Sequence, residues 1–386
     1  MKRHPTQQDV ANLAGVSQAV VSAVVNSRRG AIGVSDAVRA HVRATAESLG
    51  YRVHADAQSM RRRKFGSIGY LAPGRFRWEF DFPGTRPGLF DAAHGIGKRI
   101  VYARADSENE IPSVLREFCL DGLVIHDGGK INATLSEFLV KHEIPAVFLN
   151  HKQRYNAVYV DDVGAASEMT RHLLSQGYKR ILFLSTMSFI EAHHSWRDRK
   201  KGFENTMIAA GLVPRSMLID GLKREEAKSA FLDTLEAETR PDAVLCHGDH
   251  DAAVLQSYLF GSKWLFPRDF ALAGFGAEPT CSNYLSLPLT TMRICRYGMA
   301  QSAVHLLARL MDETATVKVA STIVRPSLVE GLSTPSTQPK TQNPNNENKH
   351  SSNLGNCKNA RSLRTHGVPD DWHFSNNHAD SPYIPQ

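Results

Sequence analysis

The sequence predicts two architectures in one chain: a small N-terminal all-α head and a much larger α/β body built on parallel sheets. Three observations predict this. The excess positive charge lies entirely in residues 1–66, which hold 11 Lys and Arg against 4 Asp and Glu, while the rest of the chain balances at 35 of each. Helix-capping residues recur at short intervals through that basic stretch. Beyond it, short apolar runs alternate with amphipathic helical stretches. At 386 residues the chain is long enough for more than one domain. A compact basic module ahead of a neutral body suggests a polyanion-binding head, with a solvated basic arm as the plainer alternative.

In the head, Thr6 followed by Asp9 resembles an N-cap with an acidic first turn. A helix is expected over Gln7–Ala14, with Val10, Leu13 and Ala14 on one face, until Gly15 breaks it. Ser17 can cap a second helix over Gln18–Val25. On a helical wheel Val20, Val21, Val24 and Val25 fall inward, and Gln18, Ala19, Ser22, Ala23 and Asn26 form a small, polar opposite face. Ser35 can cap a third helix, in which Val38, Val42, Ala46 and Leu49 recur at helical spacing before Gly50. Two short helices around a tight glycine turn, then a third, make a helix-turn-helix.

The body begins at "SIGYLAP", and the apolar runs "IVYARA", "GLVIH", "AVFLN", "RILFLS", "AVLCHG" and "FALAGFG" follow as strands with helices between most of them. Such folds place ligands at the carboxyl ends of their strands. Five widely spaced cysteines (Cys119, Cys246, Cys281, Cys295, Cys357) without a CxxC pair fit a reducing compartment rather than a disulfide framework. Lys2 and Arg3 precede polar residues, and no run reaches about 18 apolar residues. These features lead us to expect a cytoplasmic, nucleoid-associated protein. No Gly-rich phosphate loop, G-x-S-x-G or metal-binding helix is present, and Asp127 and Asp161 lack an evident partner, so an enzyme is not expected. "CHGDHD" (His247, Asp249, His250, Asp251) and "AHHS" could ligate a metal; a strand-to-helix loop whose Asp caps the next helix is the simpler reading, and neither metal nor cofactor is expected. Residues after Thr334 are rich in Asn, Ser and Pro and predict disorder. The expected domains are 1–53, a helix-turn-helix; 54–66, hinge helix and linker; 67–332, a two-lobed body; and 333–386, a disordered tail.

"TQQDVANLAGVSQAVVSAVVN", "VSDAVRAHVRATAESLGY" and "ADAQSMRR" resemble, in order, the head and hinge motifs of the lac and galactose repressor family of bacterial regulators. "VYVDDVG", "RDRKKGFENTM", "PDAVLCHGDHDAAVL", "FPRDFALAGFG" and "LPLTTMRI" resemble its body motifs. The resemblance implies a body like the periplasmic sugar-binding proteins, two α/β lobes joined by three crossing strands. It also implies a repressor that binds a near-palindromic operator as a homodimer and responds to a small-molecule effector, a carbohydrate or derivative. In the major groove, Gln18 would read adenine, and Ala19 and Ala23 would make apolar contacts. Thr6, Ser17, Ser22 and Asn26 would contact phosphate, with Arg28 and Arg29 adding backbone contacts. Ala57 would approach the minor groove and Met60 would wedge a base step. Arg199 and Asp249 match effector-binding positions, Asp161 matches a carboxylate that serves the hinge or the ligand, and Trp78, Phe80 and Trp196 flank the cleft. Gly276 and Ala277 stand where the family carries Asp-Asp, so the ligand is expected to differ from a plain neutral hexose. A sugar-binding sensor without a DNA-regulatory role is the alternative.

Overall fold

A computed structural model describes residues 4–25, 33–52, 65–72, 83–104, 111–117, 120–126, 133–186, 193–219, 223–277, 285–312 and 317–337. In the head, α1 (Gln7–Ala14), α2 (Gln18–Val25) and α3 (Asp36–Ser48) follow the bounds read from the capping residues. Thr6 and Asp9 close a capping box: Asp9 N donates to Thr6 Oγ1 at 3.3 Å, and Thr6 N donates to Asp9 Oδ2 at 2.8 Å. Gly15 takes the left-handed conformation (φ 64°) that turns the chain, and Ser17 Oγ accepts from Val20 N at 3.3 Å to start α2. Val10, Ala11, Ala14, Val21, Val24, Val42 and Ala46 form the core, with Val20, Val25, Val38, Leu49 and Tyr51 partly buried around it.

Two head expectations are corrected. Leu13 is 61% exposed and Ala11 takes its place inside. Ala23, expected on the open DNA-facing surface, is 5% exposed. On the helical wheel it lies next to Val20, at the edge of the apolar arc.

The body holds two six-stranded sheets. Sheet 1 is ordered β11-β5-β4-β3-β1-β2, from β1 (Ser67–Ala72), β2 (Arg99–Arg104), β3 (Gly122–Ile125), β4 (Ala146–Leu149), β5 (Ala157–Val160) and β11 (Thr322–Val324). Sheet 2 is ordered β12-β10-β9-β8-β6-β7, from β6 (Ile181–Ser185), β7 (Arg215–Leu218), β8 (Ala243–Cys246), β9 (Ala271–Gly276), β10 (Thr290–Arg293) and β12 (Ser327–Val329). All pairings are parallel except β10 with β12. The helices are α4 (Thr85–Gly95), α5 (Ser113–Arg116), α6 (Ala133–Lys141), α7 (Asp162–Ser175), α8 (His194–Ala209), α9 (Arg224–Glu236), α10 (Asp249–Leu259) and α11 (Arg296–Asp312).

Parallel strands must bury both faces. Sheet 1 does so against α4 and α11 on one side and α5 and α6 on the other; sheet 2 does so against α7 and α8, and against α9 and α10. The chain passes between lobes three times, at Asp161, between Arg293 and Arg296, and between Val324 and Ser327, as the resemblance implies. Two passages are tied together by Asp161 N donating to Val324 O at 2.9 Å. The expected tail boundary is also corrected. Ser333 is fully buried, its carbonyl accepts from Leu272 N, its Oγ accepts from Thr290 N and donates to the Leu272 carbonyl, and Thr337 N donates to the Gln176 carbonyl, so the body runs at least to Thr337.

The head core contains few side chains, so one charge should destroy it. Val21 is fully buried, and Val21→Asp should cost about 4 kcal/mol or more. The measurement is differential scanning calorimetry: the head transition should disappear while the body transition keeps its Tm.

Candidate functional sites: the head surface and the cleft between the lobes

Each sheet reverses its strand order once, between β1 and β3 and between β6 and β8. The crevice outside the carboxyl ends at such a reversal is where doubly wound sheets hold ligands. His126 directly follows β3 and His247 directly follows β8, so the two lobes set equivalent histidines at equivalent points. Tyr70 Oη lies 2.9 Å from His126 Nδ1.

A directed hydrogen-bond chain then spans the lobes. His193 caps α8, and its Nδ1 accepts from Ser195 N at 3.2 Å. That fixes the proton on Nε2, which donates to the Asn150 carbonyl of the other lobe at 3.0 Å. Ser195 Oγ, 2.7 Å from His193 Nδ1 and 3.1 Å from His247 Nε2, therefore donates to the first and accepts from the second. Lys152 and Asp198 add an ion pair between the lobes.

Beneath this chain lies a buried ion pair. Arg199 Nε donates to Asp162 Oδ1 at 2.7 Å, Nη1 donates to the His247 carbonyl, and the guanidinium stacks 4.6 Å from the centre of the Phe275 ring. Gly202 makes this possible: a Cβ there would strike the Val163 carbonyl and Ala166, so only glycine lets α8 approach α7 closely enough. Burial is the first cause holding the cleft histidines neutral. It drives His126 down to about 3, with Arg296 and His193 adding to the effect, and His194 to about 2, with His193, His151, Lys152 and Arg199 adding. His247 is lowered well below its ordinary value by burial, Arg199 and His193. For His193 burial outweighs the opposing Asn150 carbonyl and Asp162.

The structure brings Arg199, Asp161, Trp196, Asp249 and Gly276 to this end of the sheets. Arg199 is buried and engaged by Asp162. Asp161 caps α7 through Gly164 N at 3.0 Å. Trp196 is 7% exposed and packs 5.0 Å from the Phe183 ring and 5.9 Å from His247, as core more than as a stacking plate. Asp249 is buried and accepts from Thr291 Oγ1 at 2.7 Å. Gly276 has φ 135°, a conformation that a side chain there would strain. Asp251 accepts from Gly248 N, as the cap-forming reading of "CHGDHD" expects, and from Thr186. Among the described residues no group of His, Cys, Asp and Glu could hold a metal ion. Trp78 and Phe80 lie outside the described residues.

Sequence reasoning missed Asp162 and Asn150, and it weighed His193, His194 and His247 only as metal ligands. The doubled Asp of "VDDVG" was the available signal for Asp162.

On the head, Ser17, Gln18 and Ala19 are exposed and Ser22 is partly exposed. The Thr6 side chain is engaged by Asp9. Asn26, Arg28, Arg29, Ala57 and Met60 lie outside the described residues.

Two outcomes follow from the cleft. Arg199→Ala leaves Asp162 buried without its partner and should cost about 3–5 kcal/mol in urea unfolding, partly recovered by adding Asp162→Ala. His126 binds a proton readily only when unfolded, so its contribution is complete above about pH 6.5 and is lost as the pH falls towards about 3. Stability should decline by about 1.4 kcal/mol per pH unit in that window for each such histidine. Urea unfolding between pH 8 and pH 5 should show that slope, reduced in His126→Gln.

Comparison with known proteins places these features. Residues 6–53 match the model of bacterial regulatory proteins of the lacI family, and residues 170–334 match a periplasmic binding protein-like domain. The chain is 28% identical to the HTH-type transcriptional regulator GalR of Escherichia coli strain K12, over 86% of this chain and 96% of GalR. It is 25% identical to the HTH-type transcriptional regulator RegA of Clostridium saccharobutylicum, over 79% and 92%. A crystal structure of the lac repressor dimer bound to operator and the anti-inducer ONPF superposes with a TM-score of 0.71 at 21% identity, covering 86% of this chain and all of that one. The capped helix-turn-helix, the two doubly wound lobes and these matches together give a head that matches the lacI family of bacterial regulatory proteins on a periplasmic binding protein-like body, the architecture of the transcriptional regulators this chain resembles.

Proposed function

We propose that the protein is a repressor that binds a near-palindromic operator as a homodimer in the cytoplasm, at the nucleoid, and responds to a small-molecule effector held between its lobes, a carbohydrate or derivative. The observation that carries this is α2: its valines are spent on the head core, and Ser17, Gln18, Ala19 and Ser22 are left facing outward. That surface is small enough to enter a major groove. Gln18 is its one side chain able to bond an adenine edge bidentately, and Ala19 can only meet a thymine methyl. Thr6, Ser17, Ser22, Asn26, Arg28 and Arg29 would set register on phosphates, and Ala57 and Met60 would engage the minor groove at the operator centre. With so little polar chemistry in the major groove, DNA shape carries much of the specificity. Two heads on two half-sites need a two-fold axis, which the body supplies by dimerising.

Fluorescence anisotropy with the full-length protein tests this reading. Duplex affinity should fall steeply with salt as Lys and Arg release counterions. Gln18→Ala should cost about 1–3 kcal/mol on the operator and little on random duplex. A salt-independent affinity, or a strictly monomeric mass with and without DNA, would favour a sensor without a DNA role.

A further inference from the structure

The chain enters the body through two residues whose backbone is wholly engaged. Phe65 and Gly66 directly precede β1, and all of their backbone polar groups have partners. Arg99, at the start of β2, takes the two carbonyls: its N donates to Gly66 O at 2.9 Å and its Nη2 to Phe65 O at 3.2 Å. Asp121, the residue before β3, takes the two amides: Phe65 N donates to Oδ1 at 2.6 Å and Gly66 N to Oδ2 at 2.8 Å. Asp121 is itself fixed, since its N donates to Ser67 O at 2.7 Å and Lys98 Nζ donates to its Oδ2 at 2.7 Å.

This entry is a turn and not a continuation of the strand. In an extended strand successive amides point to opposite edges, so one carboxylate does not hold two of them. Gly66 has φ 69°, and that left-handed step brings both amides to one side, an anion-binding concavity that Asp121 fills. A Cβ on Gly66 would meet nothing within 4 Å, so backbone conformation and not space selects glycine there. Packing is thin on one side of the turn. Phe65 and Gly66 are half-buried, and Phe65, Lys98 and Asp121 line a cavity of about 570 Å³ that reaches Met311 and Asp312 at the end of α11. A void supplies no contacts, which leaves the hydrogen bonds to define the direction of the chain. The head is joined covalently to the body at this point.

We propose that Asp121 is a positioning residue for DNA binding: it clamps the Phe65–Gly66 turn so that the two heads of the homodimer leave the body in a fixed direction. This rests on the regulator reading above. Two linked heads bind two half-sites tightly because the second head is already held near its target, at a high effective concentration. A loosened exit spreads the head over a larger volume and lowers that concentration, while one head on one half-site is unaffected. The signature is a loss confined to duplexes that carry both half-sites.

The test uses the full-length protein, a duplex carrying the two-fold site selected from a random pool, and the same duplex with one half-site scrambled. Fluorescence anisotropy at one salt concentration gives both affinities, and calorimetry and sedimentation follow the body Tm and the dimer. Asp121→Ala should weaken binding to the two-half-site duplex by about tenfold and to the scrambled duplex by less than about twofold. Asp121→Asn keeps one acceptor oxygen and should lose less. Gly66→Ala strains the turn without a clash and should shift the ratio of the two affinities in the same direction. Asp312→Asn removes a carboxylate from the wall of the same cavity and should leave the ratio unchanged. A wild-type ratio in Asp121→Ala, equal losses on both duplexes, or the same shift in Asp312→Asn overturns the proposal. If the body of Asp121→Ala does not fold, the ratio in Gly66→Ala decides. A wild-type protein that binds both duplexes equally overturns the regulator reading, and the proposal with it.

Discussion

The buried Arg199–Asp162 pair is the constraint on which the cleft depends. Arg199 reaches Asp162 at the first crossing between lobes, the His247 carbonyl at the end of β8, and the Phe275 ring on β9. One side chain thus ties three elements of the second lobe to the passage into the first. A buried charge needs a partner and a filled hydrogen-bond set, so these contacts lock a specific arrangement rather than add much net stability. Gly202 is a consequence of the same demand, since any Cβ there would hold α8 away from α7.

From that anchor the histidine chain follows. Because α8 is pinned, its first residues face the opposite lobe, and His193 can donate to Asn150 while Ser195 and His247 complete the line. A protein interior that excludes water keeps these imidazoles neutral, and neutrality gives each one a donor and an acceptor. The contact between the lobes therefore runs through a few atoms at the start of α8 and the strand ends. Anything that alters the lobe junction also acts on the three crossing segments, which link the two lobes. In the proposed regulator, a cleft ligand is linked to DNA binding by a shared free energy rather than by contact.

The fold was largely legible because its signals are local. Thr6, Gly15, Ser17 and Ser35 mark helix ends through their own backbone chemistry, and fully buried parallel strands read as apolar runs. The strands missed, such as β7, β11 and β12, are short and partly exposed, so they carry no apolar run. Ala23 was misplaced because a helical wheel orders directions and ignores side-chain length. Ser333 was assigned to the tail because a serine buried by three hydrogen bonds looks, in sequence, like a serine in solvent. The site was legible as positions but not as roles. Arg199 could be placed; that its charge belongs to Asp162 depends on a contact 37 residues apart in sequence.

The central claim is that a valine-backed helix carries a polar surface that reads DNA on behalf of a ligand-binding body. The most direct measurement is sequencing of duplexes selected from a random pool by the full-length protein. The account predicts enrichment of a near-palindromic site whose half-sites lose preference at about one base pair in Gln18→Ala. Selection that returns no enriched sequence, or an enriched site without two-fold symmetry, would contradict it.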